Sequence, residues 1–427
     1  MTLARTAPGR PLRGETSVPG DKSITQRAIL LGALAPGVTR IRGANPGADA
    51  AAALGIVRTL GARVVRARGG EILIHGGNLR ESERVLDARN SGTALRLAGG
   101  LLAAQPFLSI LTGDASLRRR PVGRLIAPLR LLGADLSARD HDQLPPLVVR
   151  GRRLVGADVD TGVPSAQVKS ALLLAAIQAT GTTRVTEPAA TRDHTERMLP
   201  QFGAPVLREG GAVRVSGPGA LHGADLDVPG DVSAAAFLLA AAALVPRSRL
   251  AVRGVGVNPT RTAFLDHLAA AGVPAARENE RTVAGEPVAD LRLAAAAIHA
   301  VTVGPGEAPG LIDELPLVAV LAAFAHGTSV IRGASELRVK ESDRIRAVTE
   351  GLTRIGVHVE ELPDGWSIHG TGSVRGGTVD ARGDHRIAMA FLVAGLRARD
   401  GVAVRGAEAA RVSDPGFLPR LRSLIRP

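Results

Sequence analysis

Apolar residues in this chain gather into long runs, and each run follows a short polar stretch. A representative run at 171–177 reads ALLLAAI and has no polar residue on any face. A helix that is apolar on every face is buried, and Asp, Asn or Ser at its start is a favourable N-cap. The pattern therefore predicts six buried helices, which begin near Asp21, Asn90, Ser165, Asp231, Asp313 and Asp384.

Shorter amphipathic segments alternate with these runs and end at glycine. They occupy 56–61, 128–133, 196–203, 264–272 and 351–356, and a last copy covers 419–425. A glycine just past a helix supplies the left-handed conformation that closes its C-terminus. Alternating stretches such as 71–75 and 365–369 predict the strands. The chain is therefore predicted to be α/β and built from repeats of roughly 70 residues.

A repeated tetrapeptide divides the repeats into two halves. VPGD at 18–21 recurs at 228–231, and Pro-Gly at both places is compatible with a double crossing of the chain or with two simple turns. We expect two domains, one formed by 1–19 with 230–427 and the other by 20–229, with hinges near 18–21 and 228–231. A single Rossmann sheet is disfavoured, since no GxGxxG motif follows a strand.

The net charge of +13 points to an anionic ligand, either a nucleic acid or a small substrate with several negative charges. Nucleic-acid binders usually add aromatic stacking platforms or long basic runs. Here aromatic residues are 2% of the chain, tyrosine is absent, and the longest basic run is 118–120. Small anionic substrates are favoured, and a solvated basic surface stays open as the alternative.

Other compositional features exclude several classes of site. Cysteine is absent, which excludes disulfides, thiolate metal sites and a cysteine nucleophile. The ten histidines form no HExxH or HxH cluster, so no metal is expected. No apolar stretch is long enough to span a bilayer, and no apolar h-region follows the N-terminal arginines, so we expect a cytoplasmic protein.

Lysine is rare, and its positions are therefore informative. Of the 53 basic residues only Lys22, Lys169 and Lys340 are lysine. Such a bias suggests that arginine has replaced lysine wherever the exchange is tolerated. The remaining lysines are candidates for positions that need a compact ammonium group rather than a guanidinium, with survival on the surface by chance as the alternative.

Cationic and hydroxyl side chains occupy the predicted first turns in the first half of the chain. Lys22 and Ser23 open one helix, with Arg27 about one turn later, and Gly92 allows backbone N–H groups to approach an anion. Of the three arginines at 118–120 we expect only one to be essential and the others to be mostly solvated. The polar heptad 191–197 is compatible with a capping box and i,i+4 ion pairs or with a ligand role.

The second half of the chain adds carboxylates. Asp313 either caps a helix or is a carboxylate at the mouth of a site. The segment 338–344 reads RVKESDR, which places Lys340 and Arg344 on one face if it is helical. Together these features predict a cleft between two domains that binds two anions and performs acid/base chemistry on them.

A series of motifs resembles that of the EPSP synthases, a family of enolpyruvyl transferases. The motifs occur in the family's order over nearly the whole chain, and all the lysines fall within them. They are PGDKS (19–23), NSGT (90–93), RP (120–121), SAQVKS (165–170), RDHTE (192–196), DELP (313–316), RVKESDR (338–344) and DHRIAMAF (384–391).

This resemblance implies a fold and a reaction. The fold is two pseudo-symmetric domains, each of three βαβαββ units with buried helices, an inside-out α/β barrel. The reaction transfers the enolpyruvyl group of phosphoenolpyruvate to the 5-hydroxyl of shikimate 3-phosphate, with release of phosphate, in the shikimate pathway to chorismate and the aromatic amino acids. Asp313 would take the hydroxyl proton, Glu341 would protonate the methylene carbon, and Lys22 would assist catalysis.

The resemblance also assigns binding residues, without any cofactor. It implies that shikimate 3-phosphate is bound by Lys22, Ser23, Arg27, Ser165, Gln167 and Lys340. It implies that phosphoenolpyruvate is bound by Lys22, Gly92, Arg120, Gln167, Arg344 and Arg386. The substrate-binding set further includes Ala166, Thr191, Asp313 and His385.

Two positions depart from the family's motifs. Thr191 stands where many relatives have serine, and Arg411 where a lysine often precedes the last motif. The enolpyruvyl transferases that act on UDP-N-acetylglucosamine are the nearest alternative, but they usually rely on a cysteine acid. A basic nucleic-acid or scaffold protein would explain the charge but not the paired carboxylates. We expect a monomer without a nucleic-acid or membrane partner.

Overall fold

The computed structural model describes residues 2–425, and the chain divides into two compact units. The terminal unit contains the described residues of Met1–Pro19, Pro229–Arg281 and Pro287–Pro427. The central unit contains Gly20–Val228 and Thr282–Glu286. The short segment Thr282–Glu286 was not expected to group with the central unit, but it contacts residues of that unit. Glu286 there pairs with Nδ1 of the buried His194 at 2.7 Å.

The elements of the chain up to residue 228 belong to the central unit, apart from the first two strands. In chain order they are β1 (Leu3–Thr6), β2 (Arg13–Ser17), α1 (Lys22–Leu34), β3 (Gly37–Arg42), α2 (Ala48–Thr59), β4 (Arg63–Arg66), β5 (Ile72–Gly76), β6 (Leu86–Asp87), α3 (Gly92–Leu102), β7 (Leu108–Thr112), α4 (Gly123–Leu131), β8 (Asp135–Ala138), the single turn α5 (Arg139–Asp142), β9 (Leu144–Arg150), β10 (Asp158–Asp160), α6 (Ala166–Ala176), β11 (Gly181–Thr186), α7 (His194–Met198), β12 (Val206–Glu209), β13 (Ala212–Gly217) and β14 (Asp225–Asp227).

The rest of the chain, apart from Thr282–Glu286, builds the terminal unit together with β1 and β2. Its elements are α8 (Val232–Leu244), β15 (Arg249–Gly256), α9 (Ala263–Ala270), β16 (Ala275–Val283), β17 (Glu286–Ala294), β18 (Thr302–Val303), α10 (Ala308–Leu311), α11 (Leu315–Phe324), β19 (His326–Ile331), α12 (Arg344–Arg354), β20 (His358–Leu362), β21 (Gly365–Thr371), β22 (Gly377–Asp380), α13 (His385–Gly395), β23 (Val402–Arg405) and α14 (Phe417–Leu424). Short 3₁₀ turns cover Arg68–Gly70, Leu117–Arg119, Leu199–Phe202, Ser335–Val339 and Ala407–Val412.

Each sheet of the central unit combines one parallel pair with antiparallel strands. Their strand orders are β14-β3-β5-β4, β6-β7-β9-β8 and β10-β11-β13-β12. In the second of these the chain runs β6, α3, β7, α4, β8 and β9, apart from the single turn α5, which is a βαβαββ unit. The first sheet is completed from a distance, because β14 pairs in parallel with β3 through Leu226 and Ile41.

The terminal unit repeats this design, with the N-terminal strands filling two places. Its sheets have the orders β16-β17-β15-β2, β18-β19-β21-β20 and β1-β23-β22. Strand β2 runs parallel to β15, and β1 runs antiparallel to β23. The α/β class and the βαβαββ repeats predicted from the sequence are confirmed.

Buried helices form the interior of each unit. In the central unit α1 and α6 both contact α3, and in the terminal unit α8, α11 and α13 contact one another. Every residue of α11 and of α13 is buried. Burial on all sides explains why these segments lack a polar face. The first turns keep polar residues, because the free N–H groups of a helix start need partners.

The predicted helix boundaries are right in most places and shifted by one residue in two. The side chains of Asp21, Ser165, Asp231 and Asp384 accept hydrogen bonds from backbone N–H groups of the helices that follow them. At α3 the N-cap is Ser91, not Asn90. At α11 it is Glu314, not Asp313, and its side chain makes no capping hydrogen bond.

The glycines that end the amphipathic helices have the conformation expected of them. Their φ angles are positive: +95° at Gly61, +86° at Gly133, +84° at Gly203, +92° at Gly272 and +86° at Gly356. A residue with a Cβ is strained in this region. These glycines therefore fix where each helix stops and the next strand starts.

Candidate active site

Polar side chains at the first turns of α1, α3 and α6 form one hydrogen-bonded group, the central cluster. The Ser91 hydroxyl donates to Gln26 Oε1 at 2.7 Å. The Gln167 amide donates to Thr93 Oγ1 at 3.0 Å. Because the three helices pack together, their N-terminal ends bring partial positive charges into one region.

Lys22 opens α1 and is held by a carboxylate. Its Nζ lies 2.9 Å from Asp49 Oδ2, in the first turn of α2. The Lys22 side chain is 19% exposed, and Ser23 beside it is buried. An ammonium group and free N–H groups at one helix start form a site suited to an anion.

Arg27 lies inside the central unit. Its Nε donates to Thr195 Oγ1 at 2.8 Å, its Nη2 to Ser170 Oγ at 2.7 Å and its Nη1 to the Ser23 carbonyl oxygen at 3.0 Å. Burial lowers the pKa of its guanidinium to about 10. In this structure Arg27 ties α1 to α6 and α7, and its contact with a substrate stays a prediction.

Gly92, the first residue of α3, lies close to an arginine that the sequence did not single out. Arg96 is buried and donates through Nη1 to Gln167 Oε1 at 2.9 Å and through Nη2 to the Pro121 carbonyl oxygen at 2.7 Å. A Cβ on Gly92 would come within 2.5 Å of Arg96 Nη1. The absent side chain therefore leaves room for this guanidinium near the helix start.

Of the three adjacent arginines, only Arg120 is buried. Its Nη2 donates to Asn90 Oδ1 at 2.8 Å and to Ser116 Oγ at 3.0 Å. Arg118 and Arg119 are exposed. Burial therefore distinguishes Arg120 from its two neighbours, and its functional role stays a prediction.

The remaining predicted residues of the central unit lie at or near α6. Ser165 caps this helix through the N–H of Val168, and Ala166 is its first residue. The Thr191 hydroxyl hydrogen-bonds to another protein group: its Oγ1 donates to Glu187 Oε2 at 2.6 Å.

Lys169 and the polar heptad form a buried network rather than an exposed helix face. The Lys169 ammonium lies 2.7 Å from Glu187 and 2.9 Å from Glu196, and its side chain is 4% exposed. The heptad contains the predicted i,i+4 ion pair, between Asp193 and Arg197 at 2.9 Å. It contains no capping box, because Asp193 makes no side-chain cap hydrogen bond.

A buried arginine surrounded by carboxylates is the main feature of the second group, the terminal cluster. Arg344 Nε donates to Asp384 Oδ2 at 2.8 Å, and its Nη2 donates to Glu341 Oε2 at 2.7 Å. Its Nη1 lies 3.8 Å from Asp313 Oδ1. Burial opposes the charge on Arg344, but the carboxylates of Asp384 and Glu341 outweigh it and raise the pKa of the guanidinium.

These contacts bring together the two carboxylates predicted to be catalytic. Asp313 and Glu341 both lie next to the Arg344 guanidinium and keep 22% and 21% of their side chains exposed. Asp384 is fully buried, and although burial opposes ionisation, Arg344 lowers the pKa of its carboxyl group. Arg344 therefore lies next to two partly exposed carboxylates, Asp313 and Glu341, and one buried carboxylate, Asp384.

Arg386 and His385 occupy the start of α13. Both are buried, and Arg386 Nη1 lies 3.4 Å from Glu314 Oε1. Burial raises the pKa of Glu314, with Arg386 acting in the opposite direction.

Lys340 differs from the sequence expectation. It follows the 3₁₀ turn Ser335–Val339, and α12 starts only at Arg344, so the two residues do not share a helical face. Lys340 Nζ lies 3.2 Å from Glu336 Oε1. The exposed Arg411 lies in the 3₁₀ turn Ala407–Val412, and its suggested role stays a prediction.

Other features of the described residues add no further site. Within residues 2–425, no group of three or more His, Cys, Asp or Glu side chains could hold a metal ion. None of the helices in that range is long and apolar enough to cross a membrane. A groove of about 930 Å³ on the terminal unit is lined by β2, the start of β15 and the end of β17, away from the predicted residues.

Sequence reasoning missed several residues that hold the clusters together. Asp49, Arg96, Arg261 and Glu314 are buried and contact predicted residues or their partners. Arg96 carried a usable signal, since an arginine inside an apolar run is rarely buried without a partner. Asp49 and Arg261 lie in segments where no motif or apolar run indicated a buried charged residue.

Comparison with known proteins assigns the chain to a family. The family model described as EPSP synthase (3-phosphoshikimate 1-carboxyvinyltransferase) matches residues 6–421. The chain belongs to the EPSP synthase family. This membership decides against the family that acts on UDP-N-acetylglucosamine and against a nucleic-acid or scaffold protein.

Relatives of this family cover the whole length of the chain. A 3-phosphoshikimate 1-carboxyvinyltransferase from Anaeromyxobacter sp. (strain Fw109-5) is 55% identical over 389 residues, which are 91% of this chain and 90% of that one. One from Desulforudis audaxviator is 48% identical over 427 residues, 99% of each chain.

Solved structures agree with the fold. The EPSP synthase from Acinetobacter baumannii superposes with a TM-score of 0.87 at 40% identity, over 99% of this chain and 98% of that chain. The enolpyruvyl transferase NikO from Streptomyces tendae, at 18% identity and a TM-score of 0.81 over 99% and 97% of the two chains, supports the fold alone. The two-domain inside-out α/β fold is thereby confirmed.

Proposed function

We propose that this protein transfers the enolpyruvyl group of phosphoenolpyruvate to the 5-hydroxyl of shikimate 3-phosphate and releases phosphate. Membership of the EPSP synthase family supports the reaction. The structural observation that carries the proposal is the pair of partly exposed carboxylates, Asp313 and Glu341, on one buried arginine. The reaction needs two separate acid/base groups, because one proton leaves the hydroxyl while another is added to C3.

The chemistry has two stages. The 5-hydroxyl oxygen attacks C2 of phosphoenolpyruvate as Asp313 takes its proton and Glu341 protonates C3, which gives a tetrahedral intermediate. Loss of a proton from C3 then expels phosphate and forms the enol ether. For the addition step Asp313 must be ionised to accept the hydroxyl proton, and Glu341 must carry the proton that it gives to C3.

The cationic groups overcome repulsion between two anionic substrates. For shikimate 3-phosphate we assign Lys22, Ser23, Arg27, Ser165, Gln167 and Lys340, and for phosphoenolpyruvate Lys22, Gly92, Arg120, Gln167, Arg344 and Arg386. Ala166, Thr191 and His385 complete the set. Support comes from the helix starts: Lys22 and Gly92 are first residues of helices, where the backbone N–H groups and the helix dipole favour anions.

Phosphate release tests the proposal directly. Purified protein is mixed with phosphoenolpyruvate and shikimate 3-phosphate, and each substrate alone and UDP-N-acetylglucosamine serve as controls. We expect release only with the substrate pair, and a fall of about 10²–10⁴-fold in kcat in Asp313→Asn and Glu341→Gln. Release with the nucleotide sugar, or none with either acceptor, would contradict the proposal.

A matched variant separates catalysis from stability. Asp290 is a buried carboxylate of the terminal unit that pairs with Arg253 at 2.8 Å and belongs to no predicted site. Asp290→Asn should keep kcat within about twofold even if its thermal midpoint falls. We further propose that the enzyme acts as a monomer in the cytoplasm, and sedimentation velocity at micromolar concentration checks its oligomeric state.

A further inference from the structure

Arg386 is held by two groups inside the terminal unit. Its Nη1 lies 3.4 Å from Glu314 Oε1, and its Cζ lies 5.7 Å from the centroid of the Phe237 ring. The ring restrains the guanidinium through a cation–π contact, which does not fix its rotation. The carboxylate of Glu314 supplies the directional contact.

Glu314 is itself fixed by the starts of two other helices. The Ser233 hydroxyl, in the first turn of α8, donates to Glu314 Oε1. The same hydroxyl oxygen accepts from Arg261 Nη2 at 2.8 Å, and Arg261 Nη2 lies 3.2 Å from Asp231 Oδ1. The chain of contacts therefore runs from the cap of α8 through the cap of α11 to the first turn of α13.

Packing alone does not explain a glutamate at this position. Glu314 is 4% exposed, it makes no capping hydrogen bond to α11, and burial raises the pKa of its carboxyl group. A neutral side chain of similar size would avoid this desolvation. The contacts that require an acceptor oxygen at this position are those to Arg386 and Ser233.

We propose that Glu314 is a positioning residue for phosphoenolpyruvate: it orients the Arg386 guanidinium toward the substrate anion. This inference rests on the proposed function, in which Arg386 binds that substrate. Glu314 does not touch the reacting atoms. Its role is to hold Arg386 in one rotamer before the substrate anion binds. Binding then has to order the arginine side chain less, which favours affinity.

The consequence is a selective loss of affinity for one substrate. In Glu314→Ala, Arg386 loses its directional contact, and we expect the KM for phosphoenolpyruvate to rise about tenfold. The KM for shikimate 3-phosphate should stay within about twofold. Glu314→Gln keeps an oxygen that can accept from both Ser233 and Arg386, so it should recover most of the affinity.

A double-mutant cycle tests this mechanism against a structural role. KM values for phosphoenolpyruvate are measured for wild type, Glu314→Ala, Arg386→Ala and the double variant. If Glu314 acts through Arg386, its replacement has no further effect once Arg386 is alanine. Equal effects in both backgrounds, or an equal rise in both KM values, would overturn the inference while leaving the proposed function intact.

Controls keep the outcomes distinct. Asp290→Ala removes a buried carboxylate from another arginine of the same unit and should leave both KM values unchanged. If Glu314→Ala does not fold, as judged by circular dichroism, Glu314→Gln replaces it in the cycle, with a smaller rise of about threefold expected to vanish beside Arg386→Ala. A wild-type protein that releases no phosphate would contradict the proposed function, and this inference with it.

Discussion

Replacing Lys169 by arginine keeps the positive charge but changes its shape, so the exchange tests why lysine survives at so few positions of this chain. The ammonium is surrounded by acceptors: Glu187 at 2.7 Å, Glu196 at 2.9 Å and the Thr191 carbonyl oxygen at 3.3 Å. The residue is 3% exposed. A single nitrogen can donate in three directions, whereas a planar guanidinium directs its N–H groups into one plane.

The magnitude follows from the packing. Extra atoms in a filled interior cost about 1–3 kcal/mol, and one hydrogen bond lost through poor geometry costs about 1 kcal/mol. Lys169→Arg should therefore destabilise the central unit by about 2–4 kcal/mol. Lys169→Met should cost about 3–5 kcal/mol, because it leaves Glu187 and Glu196 buried without their cation.

Hydrogen exchange of the α6 amides is the suitable assay, because two units need not unfold in one step. Lys340→Arg is the matched control, since that lysine side chain is 25% exposed beside Glu336. It should leave α6 exchange unchanged and overall stability within about 0.5 kcal/mol. Opening free energies of α6 equal in wild type and Lys169→Arg would refute the argument that geometry, rather than charge, retains the lysine.

Two further predictions concern stability. A Cβ on Gly100 of α3 would lie 2.2 Å from the Ala171 carbonyl oxygen of α6, so Gly100→Ala should destabilise by about 3 kcal/mol in urea unfolding. Gly55→Ala in α2, where nothing lies within 4 Å, should instead stabilise by about 0.5–1 kcal/mol. Burial raises the pKa of Glu314 despite Arg386. Above the unfolded pKa of about 4.5 the side chain is charged in the unfolded chain, so folding must bury this charge or take up a proton, and either costs stability. Glu314→Gln should unfold at a higher temperature than wild type near pH 7.5, and this difference in unfolding temperature should shrink as the pH falls toward about 4.5. A difference that does not change with pH would contradict this assignment.

Local signals were sufficient to predict where helices start and stop. A cap followed by an apolar run located α1, α6, α8 and α13 to the residue, and glycine located the helix ends. These features depend on groups within one turn of each other, which is why the sequence carries them. At α3 the adjacent Asn90 and Ser91 both suit the cap position, and the pattern chose the wrong one. At α11 the helix starts one residue later than the pattern indicated, after Glu314, whose side chain makes no cap hydrogen bond.

Long-range pairing was not visible in the sequence. Strand β2 completes a sheet with β15, and β14 completes one with β3. A parallel pair is set by side chains on both strands and by the crossover between them, so a short strand such as β14 carries no sign of its partner. The segment Thr282–Glu286 groups with the central unit and likewise contacts residues distant in the sequence, since Glu286 pairs with His194 and Arg197 donates to the Gly285 carbonyl oxygen.

The sequence selects candidate residues, whose roles stay predictions, but it does not show their contacts. The motifs indicated Arg27, Thr191 and Lys340, but the first two hydrogen-bond to protein groups and Lys340 lies outside the helix expected for it. A residue type shows what a side chain can bind, whereas its partner depends on which polar groups the fold leaves unsatisfied.

The two clusters show how one repeated frame can hold different chemistry. Each unit buries helices that present polar first turns, and the same N–H groups are available in both. In the central unit the first turns carry Lys22, Ser91 and Gln167, which suit anions. In the terminal unit Glu314 and Asp384 stand at the caps, and carboxylates there are stabilised by the helix ends and must be matched by arginines. Anion-binding first turns and carboxylate-bearing first turns therefore differ by a few substitutions, in the part of each repeat that can change without disturbing its buried helix.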